Sequence, residues 1–161
     1  LTLGRLAERA GVTKPVVYDH FETRNGLLAA LYKDYDLRQT AMMDAALASC
    51  EPTPSARARV IASAYVGCVL TEGREIPGVR AALAGAPEMD ALKRGYQAGF
   101  IARCRAALQP HAEEHCLTLA AFWGILGAAD ALSDAAARGD ITEDEAVEEL
   151  YRIILATACR G

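Results

Sequence analysis

Two short stretches combine side-chain types and spacings that could do chemistry. One is His111-Ala112-Glu113-Glu114-His115, followed by Cys116. It has the H-x-x-E-H order in which two imidazoles hold a zinc ion beside a glutamate base. A working site of that kind needs both histidines on one stable helix, a third ligand and an open coordination position. Here Pro110 immediately precedes the motif, and the only other histidine, His20, lies some ninety residues away in sequence. Surface histidines paired with Glu113 or Glu114 are the expected reading, so no catalytic residue and no metal or other cofactor is assigned. Cys116 beside His115 does not make a nucleophile and base either, because neighbours in sequence on a helix point apart. The chain is not expected to be an enzyme.

The other stretch is Leu3–Phe21, LGRLAERAGVTKPVVYDHF, and what makes it a candidate site is its scaffold. Leu3, Leu6, Ala7 and Ala10 recur with the period of one buried helix face. Gly11 stops that helix, since glycine accepts positive φ. Thr13 is placed to cap a second helix with Pro15 in its first turn. A helix-turn-helix needs a small residue at the helix crossing, a glycine in the turn and apolar residues that fix the angle. Ala7, Gly11 and the set Leu6, Val12, Val17 and Phe21 fit those roles. Val17 and Phe21 then face inward, and Pro15, Val16, Tyr18 and Asp19 project outward as the surface for a major groove. An ordinary helical hairpin shares the hydrophobic spacing.

The run Leu6-Ala7-x-x-Ala10-Gly11-Val12-Thr13-Lys14-x-x-x-Tyr18-x-His20-Phe21, with Arg24 and Leu27-Leu28 after it, resembles the DNA-binding head of TetR-family regulators. The resemblance covers about the first 35 residues and implies a DNA-binding set of Thr2, Thr13, Lys14, Pro15, Val16, Tyr18, His20 and Arg24. Lys14, Pro15 and Val16 would face bases, and the others phosphates. Tyr18 could instead pack at the helix junction, and His20 could be a hydrogen-bonder there. Asp19 is awkward near phosphate unless it accepts from a cytosine amine or pairs with Arg5 or Lys14. Gly4 stands where some members carry a base-contacting arginine. The family's first helix has no counterpart in the sequence, which opens at Leu1 inside a helix start, so upstream residues are expected to be missing from it.

The remaining elements must position this head and give it a purpose. The expected fold is all-α: residues 1–38 form the helix-turn-helix head with the start of a linking helix, and residues 39–161 a ligand-sensing and dimerisation domain. Breaks at Glu51-Pro52-Thr53-Pro54, Gly73 to Pro77, Gly85-Ala86-Pro87, Pro110 and Gly139 divide the body into helices over 54–70, 79–84, 88–108, 117–137 and 143–159. Thr142 and Glu145 form a capping box for the last. Gly124, Gly127, Ala128, Ala131 and Ala135 place small residues along one side of the penultimate helix. Val147, Leu150, Tyr151 and Ile154 stripe the final one. These two helices are expected to build a homodimer, although each stripe could equally face its own core. By the resemblance, Tyr65, Cys68, Tyr96, Phe100, Cys104, Phe122 and Trp123 would line a pocket for a small-molecule effector, with Arg103 and Asp130 as polar partners. Aromatics at such spacing also build plain cores.

Composition sets the outer bounds. Of 161 residues, 52% are hydrophobic and only 6% aromatic, with alanine dominant, a balance that favours helix. The net charge of −4 is uneven: residues 1–38 hold six basic against five acidic side chains, so the head is less acidic than the body without being a basic patch. Five widely spaced cysteines with no C-x-x-C pair indicate neither a disulfide framework nor a zinc knuckle. No uninterrupted apolar run reaches the roughly 18 residues of a membrane span, the best being 117–129. The expected protein is cytoplasmic, with a double-stranded DNA operator, a second copy of itself and an effector as partners, and no membrane. It is expected to be a repressor that leaves a palindromic operator when the effector binds.

Overall fold

The computed structural model describes residues 2–83, 87–111 and 117–158. Among these there are eight α-helices and no strand. Helix α1 (Leu3–Ala10) begins at Thr2, whose hydroxyl accepts the Arg5 N–H at 3.3 Å. It ends at Gly11, which takes φ +67° and lets the Val12 N–H reach back to the Ala7 carbonyl at 3.1 Å. That closure satisfies carbonyls a helix end would otherwise orphan. Helix α2 (Lys14–Phe21) follows, with Thr13 in the extended conformation before it. Thr13 holds the capping position, but its hydroxyl makes no capping bond. Pro15, having no N–H to offer, removes one of the donors such a cap would satisfy.

Helix α3 (Arg24–Ser49) is capped by Thr23, whose hydroxyl accepts the Gly26 N–H at 3.0 Å. Its 26 residues span about 39 Å. Helix α4 (Pro54–Glu75) starts at Thr53, as the Thr-Pro pair predicts, but passes through the expected stop at Leu70 and runs to Glu75. A mid-helix glycine costs only about 1 kcal/mol. Here Arg38 of α3 supports the extra turn through a 3.1 Å pair with Glu75, and Pro77 stands just beyond the end. Helices α5 (Val79–Leu83) and α6 (Pro87–Leu108) come next, followed by a 3-10 turn at Gln109–His111. The expected α5 end at Ala84, and Glu113, Glu114, His115, Cys116 and Cys159, lie outside the described residues.

Helix α7 (Leu119–Arg138) starts two residues later than the hydrophobic run suggests, because the Thr118 hydroxyl caps it by accepting the Ala121 N–H at 3.1 Å. Gly139, at φ +80°, ends it. Helix α8 (Glu143–Ala158) opens on the expected capping box. The Thr142 hydroxyl accepts the Glu145 N–H at 3.2 Å, and the Glu145 carboxylate accepts the Thr142 N–H at 2.7 Å. The Thr142 N–H, and then the Thr142 hydroxyl, donate to this carboxylate and hold the Glu145 carboxyl below its ordinary range.

The body is built around α4, which packs against α3, α6, α7 and α8. Ala58, Ile61, Ala62 and Val66 are fully buried along it, and Cys104, Leu108, Phe122, Ala129, Leu150 and Ile154 close around them. The head has a core of its own, Leu3, Ala7, Val17 and Leu27, with Leu6, Phe21 and Leu31 at its edge. A small third cluster, centred on Leu28 and Val79, joins α3 to α5 and the start of α6. The proposed division after residue 38 thus falls within α3, whereas the head's own packing ends at Leu31. Helix α7 is, by length and composition, apolar enough to cross a membrane, which the count of uninterrupted apolar residues did not show. Within the fold it carries Asp130, which accepts the Tyr65 hydroxyl at 2.8 Å, and buries Phe122, Ile125 and Leu126 against its neighbours.

Candidate nucleic-acid interface

The reading surface is assembled from local geometry. Val17 is buried against Ala7, Leu3 and Leu27, so α2 is pinned by one face and its other faces meet solvent. Lys14, Pro15, Val16, Tyr18, Asp19 and His20 are all exposed, Val16 to 56% and Tyr18 to 49%. Thr2, Thr13 and Arg24 are exposed at three helix starts around them. All eight residues expected to contact DNA are therefore solvent-facing. The Lys14 side chain crosses Gly4, whose position has room for a Cβ only 3.7 Å from Lys14 Cε. Val12 departs from expectation. It is 43% exposed and does not help fix the angle between the helices, because the reversal at Gly11 turns it away from the head core.

What does fix α2 against α3 was not read from the sequence. Glu22 adopts φ +58°, ψ −55°, and the Thr23 N–H closes a three-residue γ-turn onto the Phe21 carbonyl. A non-glycine residue in this region is strained by roughly 1–3 kcal/mol. The Phe21 carbonyl also lies against Gly26, where a Cβ would sit only 2.1 Å from its oxygen. The junction is therefore rigid and closely fitted. At its start His20 meets the Phe21 ring edge-on at 4.6 Å while remaining exposed. Asp19 makes no ion pair with Arg5 or Lys14 among the described residues.

The seven side chains expected around an effector are only partly brought together. Tyr65 and Phe100 meet edge-to-face at 4.7 Å, and Tyr65 donates to Asp130. Cys104 and Phe122 are fully buried in the body core, where burial pushes the Cys104 thiol up to about 12. Cys68 is half-buried, and its carbonyl accepts the Tyr35 hydroxyl. Tyr96 faces α3, with its ring 4.9 Å from that of Tyr32. Trp123 is separated from the group. It is 45% exposed on the outer face of α7, one residue round from Phe122 and so about 100° away. Arg103 pairs with Asp44 of α3 at 3.5 Å. Two surface grooves lie elsewhere. One is lined by Leu70, Gly73, Ala136 and Ile141, the other by Leu132, Ile141, Glu148 and Arg152.

The outer face of α7 is apolar and open, with Leu119 62% exposed beside Trp123, Gly124, Gly127 and Ala131. The α8 stripe behaves differently. Leu150 and Ile154 are buried in their own core, and Tyr151 lies under the Arg59 guanidinium at 3.7 Å with its hydroxyl 2.9 Å from Ser55.

No curated protein matches the chain. The family described as bacterial regulatory proteins, tetR family, matches residues 1–31, the segment holding α1, the Gly11 turn, α2 and the γ-turn junction. Residues 1–31, with their helix-turn-helix geometry and the exposed side of α2, therefore form a head of the tetR-family kind, and the match supports a DNA-binding transcriptional regulator.

Proposed function

We propose that this regulator is a cytoplasmic homodimeric repressor that binds a palindromic operator and leaves it when a small molecule enters the body. The observation that carries the DNA half is the solvent-facing set on and around α2: Lys14, Pro15 and Val16 toward bases, and Thr2, Thr13, Tyr18, His20 and Arg24 toward phosphates. The Thr13 hydroxyl supports this reading, since it is not engaged in capping its own helix. One such head covers too few base pairs for useful selectivity, so two must act on half-sites about 34–36 Å apart. The exposed α7 face of Leu119, Trp123, Gly124, Gly127 and Ala131 supports pairing, because its small residues permit close approach and its large ones would otherwise remain in water. The α8 stripe contributes by bracing α7 from behind.

For sensing, Tyr65, Phe100 and Asp130 offer an aromatic pair with a carboxylate at its side, among Cys68, Tyr96, Cys104 and Phe122. A ligand that binds better when the two heads are misplaced shifts the dimer off DNA by the difference in its two affinities. A second reading, a body that only dimerises, is favoured by the complete burial of Cys104 and Phe122 and by the placement of both grooves at the surface. The test is capture of genomic DNA fragments by the protein at two salt concentrations. Enrichment of an inverted repeat that weakens steeply with salt supports the proposal. Absence of enrichment at low salt refutes the operator reading.

A further inference from the structure

The seam between α3 and α6 contains polar groups that do not satisfy one another. The Tyr96 hydroxyl is buried with no hydrogen-bond partner. The charge of Asp36, half-buried on α3, reaches it. Burial pushes the Asp36 carboxyl above its usual range, and Arg103 opposes that shift through its field alone, without a hydrogen bond. Arg103 is itself paired with Asp44 at 3.5 Å. The seam therefore holds two carboxylates against one guanidinium, an excess of one negative charge. Tyr32, one helical turn before Asp36, places its ring 4.9 Å from that of Tyr96 at a 54° tilt.

A buried hydroxyl and a poorly solvated carboxylate each cost free energy until partnered. Water would serve the hydroxyl but leave the charge. A group that carries one positive charge, has N–H donors and is attached to something flat and apolar would serve both, and would suit the tyrosine rings as well. We infer that the Tyr32–Asp36–Tyr96 seam is a subsite for the ammonium end of an aromatic amine, with Asp36 as its counter-ion and the tyrosine rings as its walls. The inference rests on the effector reading above and names the class of effector. It also places the ligand on α3, about 13 Å along the helix from Leu27 and Leu28, which hold the head.

The experiment is calorimetric titration of the protein with 2-phenylethylammonium, using neutral 2-phenylethanol as the isosteric control. The ammonium is expected to bind about tenfold more tightly than the alcohol. Asp36→Asn should remove that advantage while leaving the alcohol within about twofold, and Tyr96→Phe should weaken the ammonium by a smaller factor. Asp36→Asn is expected to fold, because burial already disfavours the charge it removes; circular dichroism checks this. Equal affinity for ammonium and alcohol, no heat from the ammonium at millimolar concentration, or an Asp36→Asn variant that binds it as well as the parent would each overturn the subsite. DNA affinity measured alongside separates the two ideas. Asp36-dependent binding with unchanged DNA affinity upholds the subsite and refutes sensing. DNA release by uncharged compounds, with no dependence on Asp36, upholds sensing and refutes the subsite.

Discussion

Replacing Gly26 by alanine sets two opposing effects against each other, and the structure determines which wins. Gly26 lies in the first turn of α3, where alanine gains about 1 kcal/mol in helix propensity. The added Cβ would lie 2.1 Å from the Phe21 oxygen and 3.2 Å from its carbonyl carbon. That is roughly 1 Å closer than carbon and oxygen tolerate. The obstacle is backbone, so no rotamer change relieves it. The Phe21 carbonyl is also held by the Thr23 N–H through a γ-turn that is already strained at Glu22. Forced overpacking costs about 1–3 kcal/mol. We therefore expect Gly26→Ala to fail to stabilise, with a net loss of up to about 2 kcal/mol, and, by displacing α2 on α3, to weaken DNA binding further. Gly73→Ala is the control, because it too is a helical glycine but has nothing within 4 Å of a built Cβ. It should stabilise by about 0.5–1 kcal/mol. Denaturant midpoints at constant slope measure both. A Gly26→Ala midpoint that rises as Gly73→Ala does would show that the junction is not the close fit described.

Other perturbations probe separate parts of the molecule. Lys14→Ala should lower the slope of log affinity against log salt by about 0.9 if the ammonium neutralises a phosphate, and leave it unchanged if Lys14 touches only a base. In the proposed dimer, Trp123→Glu should weaken self-association at least about thirtyfold in sedimentation equilibrium, by burying a charge at the centre of the α7 face; unchanged association, or none in the parent, would refute pairing through α7. Thr142→Ala should cost about 1 kcal/mol by removing the cap of α8. Because the folded state holds the Glu145 carboxyl below its ordinary value near 4.5, the associated stability is fully present above that value and is lost as pH falls through the lower folded one. The deficit of Thr142→Ala should therefore shrink in acid. Thiol alkylation read residue by residue should modify Cys50 and Cys68 well before Cys104, whose thiol is buried and pushed up to about 12.

The features legible in the sequence were those encoded within about four residues. Thr23, Thr53 and Thr142 each cap a helix through a bond to the residue three further on, and Gly11 and Gly139 close helices by accepting positive φ. Such signals need no knowledge of the rest of the chain, so most helices, and the exposure of Lys14, Pro15, Val16 and Tyr18 on α2, could be anticipated. The features that escaped depend on distant partners. The last turn of α4 survives Gly73 with the help of Arg38, 37 residues before Glu75. Gly26 is required because a carbonyl from the preceding helix approaches it, not because α3 needs a glycine. Periodicity placed an apolar stripe on α8 and aromatics on α6 and α7, but it could not say that Leu150 and Ile154 turn inward while Trp123 turns out. Nothing local to Asp36 signals its half-burial, which depends on α6 packing beside α3.

These misses bear on how a signal could reach the reading helix. Leu27 and Leu28 are adjacent on α3, about 100° apart, and each belongs to a different cluster, the first to the head core and the second to the α5 junction. Met43, farther along the same helix, belongs to the body core. Any rotation or slide of α3 therefore disturbs all three sets of contacts. Between α2 and α3 there is little compliance, since the γ-turn and Gly26 leave no free volume there. Between α3 and the body, Met43 and Tyr35 are buried, the Tyr35 hydroxyl donates to the Cys68 carbonyl, and the Arg38–Glu75 and Arg103–Asp44 pairs lie at the surface, with the partnerless Tyr96 hydroxyl in the seam. Exposed ion pairs are weak, typically under about 1 kcal/mol, so on this side the stretch beside Asp36 and Tyr96 should yield before the buried Met43 and Tyr35 contacts. A displacement of the heads should then move α1, α2 and the start of α3 as one body, pivoting where α3 meets α4 and α6. Hydrogen exchange tests the point: amides at the γ-turn should stay protected under conditions in which those along α3 beside Asp36 open.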